Sequence, residues 1–149
     1  MARYTAAMIN IRLLIEQRIK AKAKVTVCKE VAGASDLASL LSGRLADGGC
    51  YVIPESDQAS KNTRVNAVSQ RNQEQFAVIY SVRNVRDQRG ADAADACHAL
   101  RAEVLAALLG WVPNSDCEAM EKVNGRLVSF VNGFYVWKDV FQTAQYIHS

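Results

Sequence analysis

The segment that most constrains the fold runs from Glu74 to Val85, where the side chains alternate with the period of a β-strand. One face of the predicted strand carries four large apolar side chains, Phe76, Val78, Tyr80 and Val82. Ile79 lies on the opposite face, so the middle of the strand is apolar on both sides. A strand of this kind must be covered on both faces, and we expect it at the centre of a sheet.

Two helices are predicted before this strand. The first extends from about Ala6 to Lys22, because apolar side chains recur at helical spacing at Met8, Ile11, Ile15 and Ile19. The second is shorter, begins after Ser35 or Asp36 as its N-cap and ends near Leu45. Turn residues follow it and separate it from the next segment.

A third helix is predicted after the central strand, from about Asp92 to Leu109. Asp92 suits the N-cap, and Gly110 suits the position just after the last helical residue. One face of this helix is apolar and should pack on the sheet; it consists of Ala93, Cys97, Leu100, Val104 and Leu108.

The remaining strands are predicted from weaker sequence patterns. Val25 to Lys29 alternates and predicts a short strand before Gly33, and Cys50 to Ile53 predicts another that ends at Pro54. A C-terminal hairpin is predicted across Asn132-Gly133, the preferred pair for a type I′ turn.

The first strand of this hairpin covers Arg126 to Val131, and the second begins at Phe134 and continues toward Ile147, with a bulge near Lys138-Asp139. The sequence therefore predicts one α+β (mixed α/β) domain over residues 1–149. We expect one sheet of about four to six strands, with two or three packed helices and a C-terminal β-hairpin.

The segment from Glu55 to Gln73 has no aromatic side chain and few apolar ones. Alone it buries too little to offset the entropy of ordering, which predicts a mobile loop or a protruding arm. In an oligomer it would become ordered on a neighbour, with Arg64 and Arg71 paired to acidic groups across the contact. The alternative is that residues from Val65 onward begin a strand that continues to Phe76.

Composition excludes several classes of protein. The 149 residues are 50% hydrophobic and 22% charged, with a net charge of +3, which alone does not predict binding to nucleic acid. No apolar run approaches the ~18 residues that a membrane helix needs. The first residues lack the pattern of a signal peptide, so we expect a cytoplasmic, mature chain. The four cysteines have no metal-ligand spacing, and we expect them to be buried, reduced thiols.

Catalysis is poorly supported by the sequence. His98 follows Cys97 directly in the predicted helix, and adjacent helical residues do not face each other. His148 lies at the C-terminus, and Asp92 and Asp95 are explained by the electrostatics of a helix start. We therefore expect no enzyme activity, no catalytic residues, no cofactor and no metal.

Arginines recur at every third position at Arg83, Arg86 and Arg89. They form either a phosphate-binding row or a charged patch at a solvated edge or subunit interface, and the second reading is more common. Trp111 and Trp137 are either binding anchors or residues at the rim of the core.

The order of several motifs resembles the tail terminator family of long-tailed, lambda-like and Mu-like phages. The resemblance covers most of the chain and rests on Tyr51-Val52-Ile53-Pro54, Gln70, Glu74-Gln75-Phe76-Ala77-Val78, Arg83-Asn84, the Asp87 to Gly90 turn, Ala94-Asp95, Leu100-Arg101, Leu109-Gly110-Trp111-Val112-Pro113, Gly125-Arg126-Leu127-Val128 and the run from Gly133 to Thr143.

The resemblance implies a virion protein, assembled in the bacterial cytoplasm, that forms a hexameric ring. Such a ring caps the tail tube, stops its polymerisation and joins the tail to the head. Its partners would be the tail tube protein and a head–tail connector or stopper, and DNA would pass through it without sequence-specific binding. The candidate subunit or tube interface consists of Arg64, Arg71, Arg83, Arg86, Arg89, Asn132, Gly133, Phe134, Tyr135 and Trp137. Two alternatives remain: another neck ring protein, or a small host enzyme or ligand-binding domain.

Overall fold

The structure is a computed structural model that describes residues 8–84, 90–131 and 133–149. Within this part of the chain, one five-stranded sheet packs against three helices. The helices are α1 (Ile11–Lys22), α2 (Leu37–Ser42) and α3 (Ala91–Leu108). The strands are β1 (Glu30–Gly33), β2 (Gly49–Ala59), β3 (Ser69–Arg83), β4 (Glu121–Val131) and β5 (Phe134–His148). This α+β architecture confirms the predicted fold class.

The strand order is β1-β2-β3-β5-β4, with β3 in the centre as predicted. β1 and β2 are parallel, and all other neighbours are antiparallel. One face of the sheet carries Phe76, Val78, Tyr80 and Val82 against α1 and α3, and the other carries Ala77 and Ile79 against the region of α2. No helix in the described residues is long and apolar enough to span a membrane.

The helix α3 confirms the predicted apolar face, because Ala93, Cys97, Leu100, Val104 and Leu108 are all buried. The prediction of Asp92 as the N-cap of α3 was wrong. Gly90, with a φ of 73°, precedes the helix, and Asp92 lies in its first turn. Gly110 follows the helix with a φ of 74°, a value that favours glycine and agrees with its predicted place.

The helix α1 begins later than predicted. Asn10 accepts a hydrogen bond from the amide of Leu13 at 3.2 Å and caps the helix, so Met8 lies before it and is exposed. Ala6 and Ala7 lie outside the described residues. Ile11, Ile15 and Ile19 are buried as the spacing predicts.

The helix α2 has the predicted cap, since Asp36 accepts a hydrogen bond from the amide of Ser39 at 2.7 Å. It ends at Ser42 rather than near Leu45.

The prediction of a strand from Val25 to Lys29 was wrong. Cys28 donates its amide to the carbonyl of Lys24 at 2.8 Å, which makes this segment a turn, and Val25 is exposed. The strand is instead β1, which follows directly and ends at Gly33. Weak alternation over five residues does not distinguish a strand from the turn before it.

Pro54 does not end β2, contrary to the prediction. β1 pairs with β2 only as far as Val52, so Pro54 lies where the outer side of β2 has no partner strand among the described residues. A proline without an amide proton is tolerated at such an edge. The register shift between Pro54 and Ser56 shows a bulge directly after it.

The segment from Glu55 to Gln73 forms an arm instead of a mobile loop. Its two sides belong to β2 and β3 and stay paired as far as Ala59 and Asn72, which agrees with the expectation of a protruding arm. The alternative strand toward Phe76 is also present, but it begins at Ser69 rather than at Val65. Only residues 60–68 form the loop, and Asn62 Oδ1 holds it by accepting hydrogen bonds from the amides of Arg64 and Ser69. Ladder hydrogen bonds do not require apolar side chains, which is why composition alone did not distinguish an arm from a mobile loop.

The C-terminal hairpin is present, with Val131 paired to Phe134 and a φ of 80° at Gly133. Asn132, the other residue of the predicted turn, lies outside the described residues. The bulge predicted near Lys138-Asp139 is absent from the β3–β5 ladder, and β4 carries the register shifts of the hairpin, between Lys122 and Asn124 and between Leu127 and Ser129.

Candidate assembly interface

The structure divides the candidate interface residues among three places. Arg83, Gly133 and Phe134 lie at the turn end of the sheet, Trp137 lies inside the rim of the core, and Arg64 and Arg71 lie on the arm. Arg86, Arg89 and Asn132 lie outside the described residues. The seven described candidates therefore do not form one surface.

At the turn end of the sheet, Arg83 makes one contact through its backbone and one through its side chain. Its backbone amide donates to Asp47 Oδ1 at 3.0 Å, and its guanidinium carbon lies 5.9 Å from the centroid of the Phe134 ring. A cavity of about 520 Å³ opens beside them, lined by Glu30, Arg44, Leu45, Ala46, Asp47, Arg83 and Phe134. The mixed charges of this lining suit a contact with another protein surface better than a site for one phosphate.

Tyr135 and Trp137 point toward the face of the sheet that α1 and α3 cover, because their partners in β3 are Val82 and Tyr80. Both are partly buried against the core, which supports the reading of Trp137 as a residue of the core rim. Trp111 is packed in the same way, with the Arg18 guanidinium 5.5 Å from its ring centroid.

Trp137 belongs to a buried ionic cluster around Asp139. Arg101 donates to the two carboxylate oxygens of Asp139 at 2.9 and 3.2 Å, and Trp137 Nε1 donates to Oδ1 at 2.9 Å. Lys122 Nζ lies 3.6 Å from the same carboxylate. Burial lowers the pKa of Arg101, but the hydrogen bonds and charge of Asp139 outweigh it, so the pKa of Arg101 is raised.

This cluster joins α3, β4 and β5. The Arg101 guanidinium also lies 4.4 Å from the centroid of the Trp137 ring, a cation–π distance. A Cβ at Gly125 would lie 2.3 Å from Asp139 Oδ1, so the space beside the carboxylate exists only with glycine there. Sequence reasoning missed this cluster, because its members are far apart in the chain.

On the arm, Arg71 is already paired within the chain. Its Nε and Nη2 donate to the two carboxylate oxygens of Glu118 at 2.6 and 2.7 Å. This bidentate bond lowers the pKa of Glu118. Arg64 is exposed in the loop at the tip of the arm.

Beside the arm, Glu74 is a buried carboxyl group whose pKa is raised by burial. Gln145 Nε2 donates to Glu74 Oε2 at 2.5 Å and to the carbonyl of Ile9 at 3.1 Å. The amide of Ile9 in turn donates to Gln145 Oε1 at 3.0 Å. This pair therefore fixes the segment before α1 to the base of the arm.

The geometry offers little for catalysis. Cys97 is buried and His98 is exposed, so the two side chains lie on different sides of α3, as their spacing predicts. Burial raises the pKa of Cys97 to about 12, which keeps it a thiol at neutral pH. All four cysteines are free and buried, as predicted, and Cys28 and Cys50 are in contact with their sulfur atoms 3.6 Å apart. Within the described residues, no three potential metal ligands of the Cys, His, Asp and Glu types cluster together.

Comparisons with known proteins agree with the resemblance. A family model described as phage tail terminator protein matches residues 5–149. Among solved structures, a chain of a structure titled "Virion of native gene transfer agent (GTA) particle" is similar, with a TM-score of 0.59 and 14% sequence identity. The match covers 97% of this chain and 99% of that chain, and at this identity it shows a common fold. The comparison with curated proteins found no match.

Proposed function

The chain belongs to the phage tail terminator family, and we propose that it forms a homohexameric ring that caps the tail tube. In this role the ring stops polymerisation of the tube and provides the surface on which the head is joined. Membership of the family makes the chain a structural protein of the phage tail. The ring, its copy number and its contacts with the tube and the head are what we propose beyond this.

The observation that carries the proposal is the match of the family model over residues 5–149, almost the whole chain. The fold is suited to the role, because its sheet ends in two different outer strands, β1 and β4. A ring needs two different surfaces on each subunit that fit each other by rotation.

The proposed partners follow from this position. One side of the ring contacts the tail tube protein, and the other contacts a head–tail connector or stopper protein. DNA passes through the centre without sequence-specific contacts. Assembly takes place in the cytoplasm of the bacterial host, and the finished ring is part of the virion.

We propose the turn end of the sheet as one contact with these partners, with exposed Arg83 and partly buried Phe134 beside the mixed-charge cavity. Arg64, at the tip of the arm, is proposed for a second contact. Arg71 is proposed for the same contact, where its guanidinium also binds Glu118 of its own chain.

Deletion of the gene for this chain tests the proposed function. Electron microscopy should then show tails of abnormal length and heads that carry no tail. Restoring the chain should restore both the length and the attachment. Tails of normal length without attached heads would instead indicate another neck ring protein, and normal particles would contradict both roles.

A further inference from the structure

The sheet has two open edges in the part of the chain that the structure describes. β1 pairs with β2 only from Gly49 to Val52, so the outer side of β2 from Ile53 to Ala59 faces no other described strand. β4 is the outermost strand on the other side. Unpaired backbone N–H and C=O groups at an edge are a template for a strand of another chain.

The outer edge of β4 also exposes apolar side chains. The exposed fraction is 41% for Val123 and 42% for Leu127, although both lie in a strand of 11 residues. Proteins usually protect such an edge with charges or by covering it. The exposure of Val123 is therefore best explained by a partner that covers the first half of β4.

The strand directions determine which partner fits. β2 is antiparallel to β3, β3 to β5 and β5 to β4, so β4 runs antiparallel to β2. A rotation that continues the sheet into a second copy places β4 of one copy beside β2 of the next in antiparallel orientation. This contact uses different surfaces on the two copies, which is the requirement for a ring.

We propose, on the basis of the proposed ring, that neighbouring copies join by antiparallel pairing of the first half of β4, Glu121 to Arg126, with the open half of β2. The pairing sets Lys122 of one copy opposite Asp57 of the next. It extends the five-stranded sheet from subunit to subunit around the ring.

The charges of the two edges are complementary on the face of the sheet that α1 and α3 cover. Asp57 pairs with Glu74 and Lys122 pairs with Phe141, and both of these partners lie on the face that α1 and α3 cover. On this face β2 is acidic and β4 is basic, and opposite charges across neighbouring strands are stabilising.

The opposite face carries Glu55 in β2, and both Arg126 and Glu121 in β4. Glu55 bonds to Lys138, and Lys138 is the register partner of Arg126, which places Glu55 and Arg126 on this second face. With Lys122 opposite Asp57, the antiparallel register brings Asn124 opposite Glu55 and Arg126 one diagonal step from it. Arg126 forms no ion pair within the described residues.

The two edges also lie at nearly the same height along the sheet. Asp57 pairs with a residue of β3 that in turn pairs with Thr143 of β5, whereas Lys122 pairs with Phe141 of β5. The two positions in β5 are two residues apart. The contact therefore needs a shift of two residues between copies, or about 7 Å at the rise of a β-strand. A small shift of this kind also accompanies the closure of a sheet into a barrel.

Disulfide trapping in assembled tails tests the contact. Tails are assembled with the double variant Asp57→Cys/Lys122→Cys and treated with copper(II)–phenanthroline and oxygen, which accept the two electrons of each new disulfide. Directly opposed residues of antiparallel strands have Cα separations of about 4.5–5.5 Å, within the range of a disulfide. The expected result is a ladder of covalent multimers on a non-reducing gel, with a closed ring as its largest member.

Controls separate this contact from others. Each single variant should give no covalent multimer, and neither should Asp57→Cys/Leu127→Cys, whose second residue lies further along β4. If Lys122→Cys prevents folding, Glu55→Cys/Asn124→Cys tests the same register.

Tails that contain the ring but give no disulfide with either pair would overturn the inference and leave the proposed function intact. A single variant that links to itself would show a two-fold contact and also overturn it. The proposed function itself fails by a different result, namely tails of normal length and attachment in the absence of the chain.

Discussion

At the scale of single residues, Asp139 shows how one buried charge connects distant parts of the chain. Its carboxylate is fully buried and receives hydrogen bonds from Arg101 of α3 and Trp137 of β5. The sequence could not predict this, because no local pattern relates position 101 to position 139. The apolar face of α3 was predictable, since its helical spacing is visible along the chain.

Replacing the buried charge tests its role in stability. Asp139→Asn leaves Arg101 largely buried without its counter-charge, so we expect a loss of about 3–5 kcal/mol in the free energy of unfolding. Glu118→Gln is the matched control, because its pair with Arg71 is about 40% exposed and should contribute less than about 1 kcal/mol. Urea denaturation measures both variants. Equal losses would show that burial of Asp139 has no special effect.

The pKa of Glu74 predicts a pH dependence of stability. Because burial raises the pKa of Glu74 in the folded chain, its contribution to stability is full below the unfolded pKa and is lost as pH rises through the folded pKa. Glu74→Gln cannot ionise, so the wild type should lose stability relative to this variant over that pH range.

Glu118→Gln gives the control of opposite sign. Arg71 lowers the pKa of Glu118, so its contribution is present above the unfolded pKa and is lost as pH falls through the folded pKa. The wild type should therefore gain stability relative to Glu118→Gln as pH rises. Urea denaturation from acidic to neutral pH measures both differences, and a constant difference for Glu74→Gln would refute the assignment of that carboxyl group.

At the scale of elements, strands with alternating apolar side chains were predictable and polar strands were not. The alternation in β3 correctly placed it at the centre of the sheet. For the arm, composition left open a mobile loop or a protruding arm, because its strands are held by ladder hydrogen bonds and by contacts between polar side chains, such as Gln73 to Gln142 at 2.5 Å. Such contacts leave no periodic apolar signal in the sequence.

The hairpin between β4 and β5 depends on the left-handed conformation of Gly133. Gly133→Val should destabilise the chain by at least about 1–2 kcal/mol, because a left-handed conformation is costly for L-residues and most of all for β-branched ones. Gly133→Asn is the control, since asparagine tolerates this conformation better. Thermal unfolding compares the two. If the valine variant were as stable as the asparagine variant, the turn would not have this geometry.

Hydrogen exchange distinguishes the strands of the arm. In β3, residues 72–75 are paired on both sides, so their amides should be protected in the isolated chain. Amides of residues 53–59 that face outward should exchange rapidly in the isolated chain and become protected in assembled tails. Rapid exchange throughout 72–75 in the isolated chain would show that the arm is not formed before assembly.

At the scale of the whole molecule, the family of this chain was predictable from the order of its motifs, although each motif alone is weak. The family model confirms that prediction over residues 5–149. The surfaces that join subunits were not predictable in the same way. The candidate list emphasised arginines and aromatic residues, whereas the open edges of β2 and β4 follow from strand pairing, which only the structure shows.

The most direct test of the central claim is a tube-growth experiment with purified components. Tail tube protein is allowed to polymerise, this chain is added during growth, and tube lengths are measured by electron microscopy. We predict that far fewer copies of the chain than of tube protein stop elongation, and that gold-labelled chain lies only at tube ends. Continued elongation with the chain present, or label along the sides of the tubes, would contradict the claim that this protein terminates the tail.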